Sequence, residues 1–184
     1  MLNNSSVFSN LSSRDLPSKL TADKLEEFRQ MMLGDKVIVG CDEVIEEFED
    51  EEGLLECLVY LWQQNSSRFR KNLPLPIREW FLSKFVKPSE NLVLYKGMHF
   101  ERDKNVDLMS ISSGGSFITS TTIDRSLAEY FANGPKNCWK ERNHILCVYR
   151  ITGDLVFDVK PYRDFDEEEF IVYNPKFELI EILN

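Results

Sequence analysis

Histidine and paired cysteine are what this chain has least of. Two histidines, His99 and His144, and four scattered cysteines (Cys41, Cys57, Cys138, Cys147) are too few and too far apart for the usual zinc ligand spacings, and there is no Cys-x-x-Cys pair. No metal site is therefore expected. No apolar run approaches the ~18 residues needed to cross a bilayer. Residues 1–19 are rich in Asn and Ser and have no basic start followed by an apolar stretch. They read as a flexible lead, not a secretory signal. Unclustered thiols without an export signal imply reduced cysteines and a cytoplasmic location. A concentrated positive field is also missing, and nonspecific nucleic-acid binding depends on one.

Negative charge, by contrast, is abundant and local. The formal charge is −9 over 184 residues, and nine acidic residues fall between Asp42 and Glu56 with no Lys or Arg among them. Removing those nine from the 31 acidic residues leaves 22, equal to the 22 Lys and Arg, so the rest of the chain is neutral overall. Such a block is a solvated helix face or a docking surface for a basic partner. Hydrophobic content of 42% with 12% aromatics is that of a globular chain with a substantial core.

Periodicity divides the chain. In residues 20–90 the apolar spacing is helical. Thr21 can cap a helix in which Leu25, Phe28 and Met32 form one stripe, with Gly34 as its stop. Val44, Ile45 and Phe48 mark a short amphipathic helix within the acidic block. Gly53 separates it from Leu54–Trp62, apolar nearly all round and so expected to be a buried helix. Asn65–Lys71, carrying Arg68, Arg70 and Lys71, reads as a basic polar turn. A last helix follows Pro74 and Pro76, with Ile77, Trp80, Phe81 and Phe85 on one side. From 91 to 184 the pattern changes to short β segments, near 92–96, 116–121, 144–151, 155–159, 168–173 and 176–183. The expected fold class is α+β, with N-terminal helices packed on a split, mainly antiparallel sheet in one integrated domain.

Three segments of the β-rich part carry chemistry. Leu92–Gly97 is a short apolar strand ending in Lys96 and Gly97. Phe117–Thr122 is rich in hydroxyls and precedes a helix capped by Asp124 and ending near Phe131–Ala132. Asp166–Val172 runs a group of carboxylates into an apolar strand. Along a strand, alternation would aim Glu167 and Glu169 to the same face, about 7 Å apart. One carboxylate could then hold a developing cation while the other orients a nucleophile.

In order and chemistry these segments resemble the three motifs of the Arg-Ser-Glu branch of the mono-ADP-ribosyltransferases, over roughly Leu92 to Leu183. The family has an aromatic-Arg-Gly at a strand end, a Ser-Thr-Ser strand before a short helix, and Glu-x-Glu on a later strand. The resemblance implies an ADP-ribosyltransferase-like fold, NAD as the substrate and no metal. It further implies that Glu169 stabilises the ribose cation, that Glu167 engages the acceptor, and that Thr119 orients the catalytic glutamate. Lys96, Gly97, Ser120 and Thr121 would bind NAD, and Phe165 would pack against the target. Two positions depart from the pattern. Lys96 stands where the family usually has arginine, and a lysine is a point charge without the bidentate fork. Thr119-Ser120-Thr121 stands in place of Ser-Thr-Ser.

The implied activity is transfer of ADP-ribose from NAD to a target protein, with arginine the favoured acceptor because the upstream residue of the Glu-x-Glu is glutamate. The chain looks most like small bacterial and phage-encoded members, whose targets include host transcription and translation machinery. The loop 133–143 falls where the family closes over NAD. Its Trp139 could stack there, and its Lys136, Lys140 and Arg142 could supply phosphate contacts. Two other readings stand beside this one: ADP-ribosylation of nucleic acid or RNA, which the negative charge disfavours, and a catalytically weakened module that binds a partner through its acidic block.

Overall fold

The computed structural model describes residues 19–35, 37, 40–104, 106–111, 117–134, 143–162 and 168–183. Thr21 caps α1 (Ala22–Gly34) by accepting from the Lys24 amide, and Leu25, Phe28 and Met32 form its buried stripe. The short helix α2 (Asp42–Glu47) buries Ile45. Helix α3 (Glu51–Gln64) begins earlier than Gly53 would suggest. Asp50 is its cap, and the Asp50 carboxylate accepts from the Gly53 amide at 2.9 Å, so the glycine lies inside the first turn.

The segment expected to be a basic turn is a helix as well. Asn65 caps α4 (Ser66–Asn72) by accepting from the Arg68 amide at 3.0 Å. The arginines and lysine that follow are good helix formers, and Phe69 supplies a buried anchor. Pro74 begins α5 (Leu75–Leu82), with Pro76 in the first turn, where its missing N–H costs nothing.

Six strands follow: β1 (Leu94–Glu101), β2 (Ile118–Thr122), β3 (His144–Thr152), β4 (Leu155–Asp158), β5 (Glu169–Tyr173) and β6 (Lys176–Leu183). A sixth helix, α6 (Arg125–Asn133), lies between β2 and β3, and Asp124 caps it by accepting from the Ser126 amide at 2.7 Å. The strands form one antiparallel sheet in the order β4-β5-β2-β1-β3-β6. Its two halves are unequally joined. β1 and β3 pair from Leu94↔Ile151 to Glu101↔His144, and β2 and β5 pair from Ile118↔Tyr173 to Thr122↔Glu169. Between β1 and β2 the register holds at Tyr95↔Thr122 alone. The architecture is thus α+β, with a sheet that is continuous in order but nearly split at its centre.

Strand alternation sends side chains into two cores. Ile118, Phe157 and Ile171 join the buried residues of α1–α5, whereas Val156 and Val172 join Leu94, Cys147, Tyr149 and Ile151 on the other side. A relay of edge-to-face rings runs Trp62–Phe69–Phe81–Phe157, with centroid separations of 5.7, 6.2 and 5.1 Å. Each such pair adds about 0.5–1.5 kcal/mol beyond area burial. The relay ties α3, α4 and α5 to β4 and fixes where Trp62 sits.

Candidate active site

Where the sheet is least zipped, a cleft of about 350 Å³ opens. Lys96 and Gly97 of β1, Ser120, Thr121 and Thr122 of β2, and Glu169 of β5 line it, with Trp62, Gln63 and Ser66 on the helical wall and Ala128 and Phe131 of α6 opposite. Its size falls within the range of small-molecule sites. Residues from all three sequence segments meet here.

Gly97 is there because α6 lies directly on β1. A methyl group at position 97 would sit 1.7 Å from the Ala128 carbonyl oxygen and 2.6 Å from the Ala132 nitrogen. Backbone atoms cannot yield as a flexible side chain would, so only glycine allows this approach, and the small Ala128 and Ala132 face it. The neighbouring Lys96 ammonium donates to the Ser120 carbonyl at 2.9 Å, with the Ser120 hydroxyl at 3.5 Å. The Lys96 pKa is lowered to about 8, chiefly by burial and then by the positive charge of Arg70, with the Glu169 carboxylate opposing both. Lys96 is therefore a cation near neutral pH that holds its proton weakly.

Glu169 opens β5 opposite Thr122. The Trp62 indole N–H donates to its carboxylate at 3.2 Å, across 107 residues of sequence. A half-buried carboxylate held by a fully buried indole is restrained in position, as an electrostatic stabiliser must be. The Arg70 guanidinium lies over the Trp62 ring, 5.6 Å from its centroid.

Two expectations need correcting. Thr119 does not line the cleft. It pairs with Val172, whose side chain belongs to the core on the far side of the sheet, whereas Ser120 pairs with Ile171 and Thr122 with Glu169 on the near side. The hydroxyl next to Lys96 is that of Ser120. Thr121 borders the cleft, but its hydroxyl is engaged by the Phe170 carbonyl at 3.0 Å.

The second correction concerns the Glu-x-Glu geometry. The strand starts at Glu169, and Glu168 has φ +44°, a left-handed conformation that ends strand alternation. Strand periodicity therefore gives no account of the direction of Glu167. Glu167 and Phe165 lie outside the described residues, as do Lys136, Trp139, Lys140 and Arg142. Trp62, Gln63, Ser66 and Phe131 were not expected here from sequence; Trp62 carries no signal that separates it from a core residue.

The acidic block lies on α2 and the first turns of α3, away from this cleft. Glu47, Glu49, Asp50 and Glu56, with Phe48, Tyr60 and Tyr162, border a second, more open groove of about 650 Å³. Burial raises the Tyr162 pKa, and Glu52, Asp158 and Glu56 raise it further, a measure of the negative potential there. Among the described residues no group of three or more His, Cys, Asp or Glu could hold a metal ion, and no helix is long and apolar enough to cross a membrane.

Comparison of the chain with protein-family models, curated proteins and solved structures finds no match. The geometry and the motif resemblance therefore carry the functional reading alone.

Proposed function

We propose that this protein transfers ADP-ribose from NAD to a target protein, with arginine the favoured acceptor and nicotinamide the leaving group. The observation that carries the reading is the meeting of Lys96, Ser120 and Glu169 in one cleft, from three segments whose order along the chain is that of the family's motifs.

The reaction breaks the bond between ribose C1′ and the nicotinamide nitrogen. The bonding pair leaves with nicotinamide, which departs neutral, and positive charge develops on the ribose. A restrained carboxylate lowers the energy of that charge, as in glycoside hydrolysis. Glu169 supplies it, and Trp62 holds it in place. Lys96, on the neighbouring strand, offers positive charge to the dinucleotide phosphates. The attacking nitrogen of the acceptor gives up a proton as the new C1′–N bond forms. Free arginine holds its protons tightly, so a second carboxylate is required, and Glu167 is the residue the resemblance gives that task. Water can attack the same cation when no acceptor is present, so slow NAD hydrolysis is expected as a side reaction.

The partner-binding reading has support of its own in the acidic groove on α3. One experiment separates the two. Purified protein is incubated with labelled NAD and a cell lysate, wild type beside Glu169→Gln. Transfer predicts a labelled protein in the wild type and a loss of at least about 100-fold in the variant, the usual effect of deleting one electrostatic stabiliser. The modified side chain is then assigned by mass spectrometry. Full transfer by Glu169→Gln would remove Glu169 from its role, and a wild type that releases no nicotinamide and labels nothing would leave the binding reading.

A further inference from the structure

We propose that Arg70, on the last turn of α4 in the helical part, is a phosphate-binding residue of the cleft and supplies the guanidinium fork that Lys96 lacks. The inference rests on the dinucleotide reading above and names which residue of this chain would grip the pyrophosphate.

The first ground is position. Arg70 is not itself among the residues that line the cleft, but it stacks on Trp62, which lines the cleft and holds Glu169. The guanidinium is close enough to Lys96 for its charge to weaken the lysine's hold on its proton. Two cations on separate elements thus lie within reach of each other's charge, and the Glu169 carboxylate acts on Lys96 with the opposite sign.

The second ground is what Arg70 is not doing. Among the described residues, Arg29, Arg125 and Arg150 each pair with a glutamate, Arg78 donates to the Arg70 and Leu73 carbonyls, and Arg68 and Arg102 are exposed to solvent. The Arg70 guanidinium has no carboxylate or carbonyl partner among those residues, although it is partly buried and desolvation already lowers its pKa. A half-desolvated cation beside a second cation is an unfavourable arrangement, in a chain with 31 acidic residues available as partners. A bound anion between the two removes both the repulsion and the unmet donors. A pyrophosphate diester fits: its paired oxygens accept two parallel N–H bonds from a guanidinium, and an ammonium can neutralise the second phosphate as a point charge.

A purely structural role would be to brace Trp62 by cation–π stacking. The test therefore compares a ligand with phosphates to one without. Binding of ADP-ribose and of nicotinamide riboside is measured by calorimetry for wild type, Arg70→Lys and Arg70→Gln, with melting temperatures recorded alongside. The inference expects Arg70→Gln to weaken ADP-ribose binding at least about tenfold, the usual loss for a hydrogen bond to a charged group. It expects Arg70→Lys to lie between, salt dependence to fall with the lost charge, and nicotinamide riboside to bind all three alike.

Equal weakening of both ligands would mean that Arg70 acts only by bracing the indole, and would overturn the proposal. Unchanged ADP-ribose affinity in a protein that still transfers ADP-ribose would overturn this inference and leave the proposed function intact. Arg70-dependent ADP-ribose binding in a protein that transfers nothing from NAD would keep the inference and sink the transfer reading. No ADP-ribose binding by the wild type would sink both.

Discussion

The two halves of the sheet are built alike on their outer sides and differently where they meet. β1–β3 and β2–β5 are zipped along most of their length, while β1 and β2 share the pair Tyr95↔Thr122 and then part. The zipped regions bury Ile171 against the helices on one face and Tyr149 and Val172 on the other. The seam instead exposes polar groups: Lys96, the Ser120 hydroxyl and the Glu169 carboxylate. A fully paired centre would draw these strands together and leave no cleft. Incomplete pairing is thus what makes room for a ligand, and the rigidity on either side keeps the polar groups where they are.

The most forceful way to break this arrangement is Gly97→Ala. The added methyl must displace the backbone of α6 at Ala128 and Ala132, and overpacking of this kind costs about 1–3 kcal/mol. Denaturant unfolding should show that loss, and transfer should fall with it because α6 carries one wall of the cleft. A variant as stable and active as wild type would mean that α6 does not rest on β1 as described.

Next in size is Trp62→Phe. The ring remains to pack on Phe69 and beneath Arg70, but the N–H donated to Glu169 is lost. About tenfold lower kcat is expected, with stability changed less, since a hydrogen bond to a charged group contributes about 1.5–3 kcal/mol. In the zipped half, Tyr149→Phe makes the converse case. It removes the hydroxyl donated to the Leu108 carbonyl at 3.1 Å; Tyr149 pairs with Lys96 across β1 and β3 but does not line the cleft. About 1 kcal/mol of stability should go, with kcat/KM for NAD unchanged. If Tyr149→Phe lowered catalysis while Trp62→Phe did not, the division of labour between seam and flanks would be wrong.

Much of this frame was legible in the sequence, for physical reasons that also explain the misses. The stripe Leu25, Phe28, Met32 and the caps Thr21 and Asp124 are local signals, and the helices follow them. Asn65–Lys71 looked like a turn because its residues are polar, yet Asn65 is a good cap and Arg and Lys are good helix formers. The hydroxyl run Thr119-Ser120-Thr121-Thr122 has no apolar member to say which face is buried. Only its register with β5 puts Ser120 on the side of Ile171 and Glu169 and turns Thr119 away with Val172. The role of Trp62 could not be foreseen, since its contact with Glu169 comes from packing across 107 residues and leaves no local pattern.

The smallest expected effect is also the one that most directly probes the seam. With its pKa lowered to about 8, Lys96 in the free protein loses its charge as pH rises through 8. An anionic ligand favours the charged form, so binding should raise that pKa and take up a proton from solution above pH 8. The KM for NAD should therefore be flat below about pH 7 and climb above pH 8, by severalfold at pH 9, with kcat less affected. Lys96→Arg puts a group there that does not titrate in this range, so its KM should stay level through pH 9. A wild-type KM that is equally level would mean that the Lys96 charge does not meet the ligand. The anion would then be held by other groups, and a level KM in wild type combined with a rise in Arg70→Gln would identify Arg70 as the cation that masks the lysine's titration.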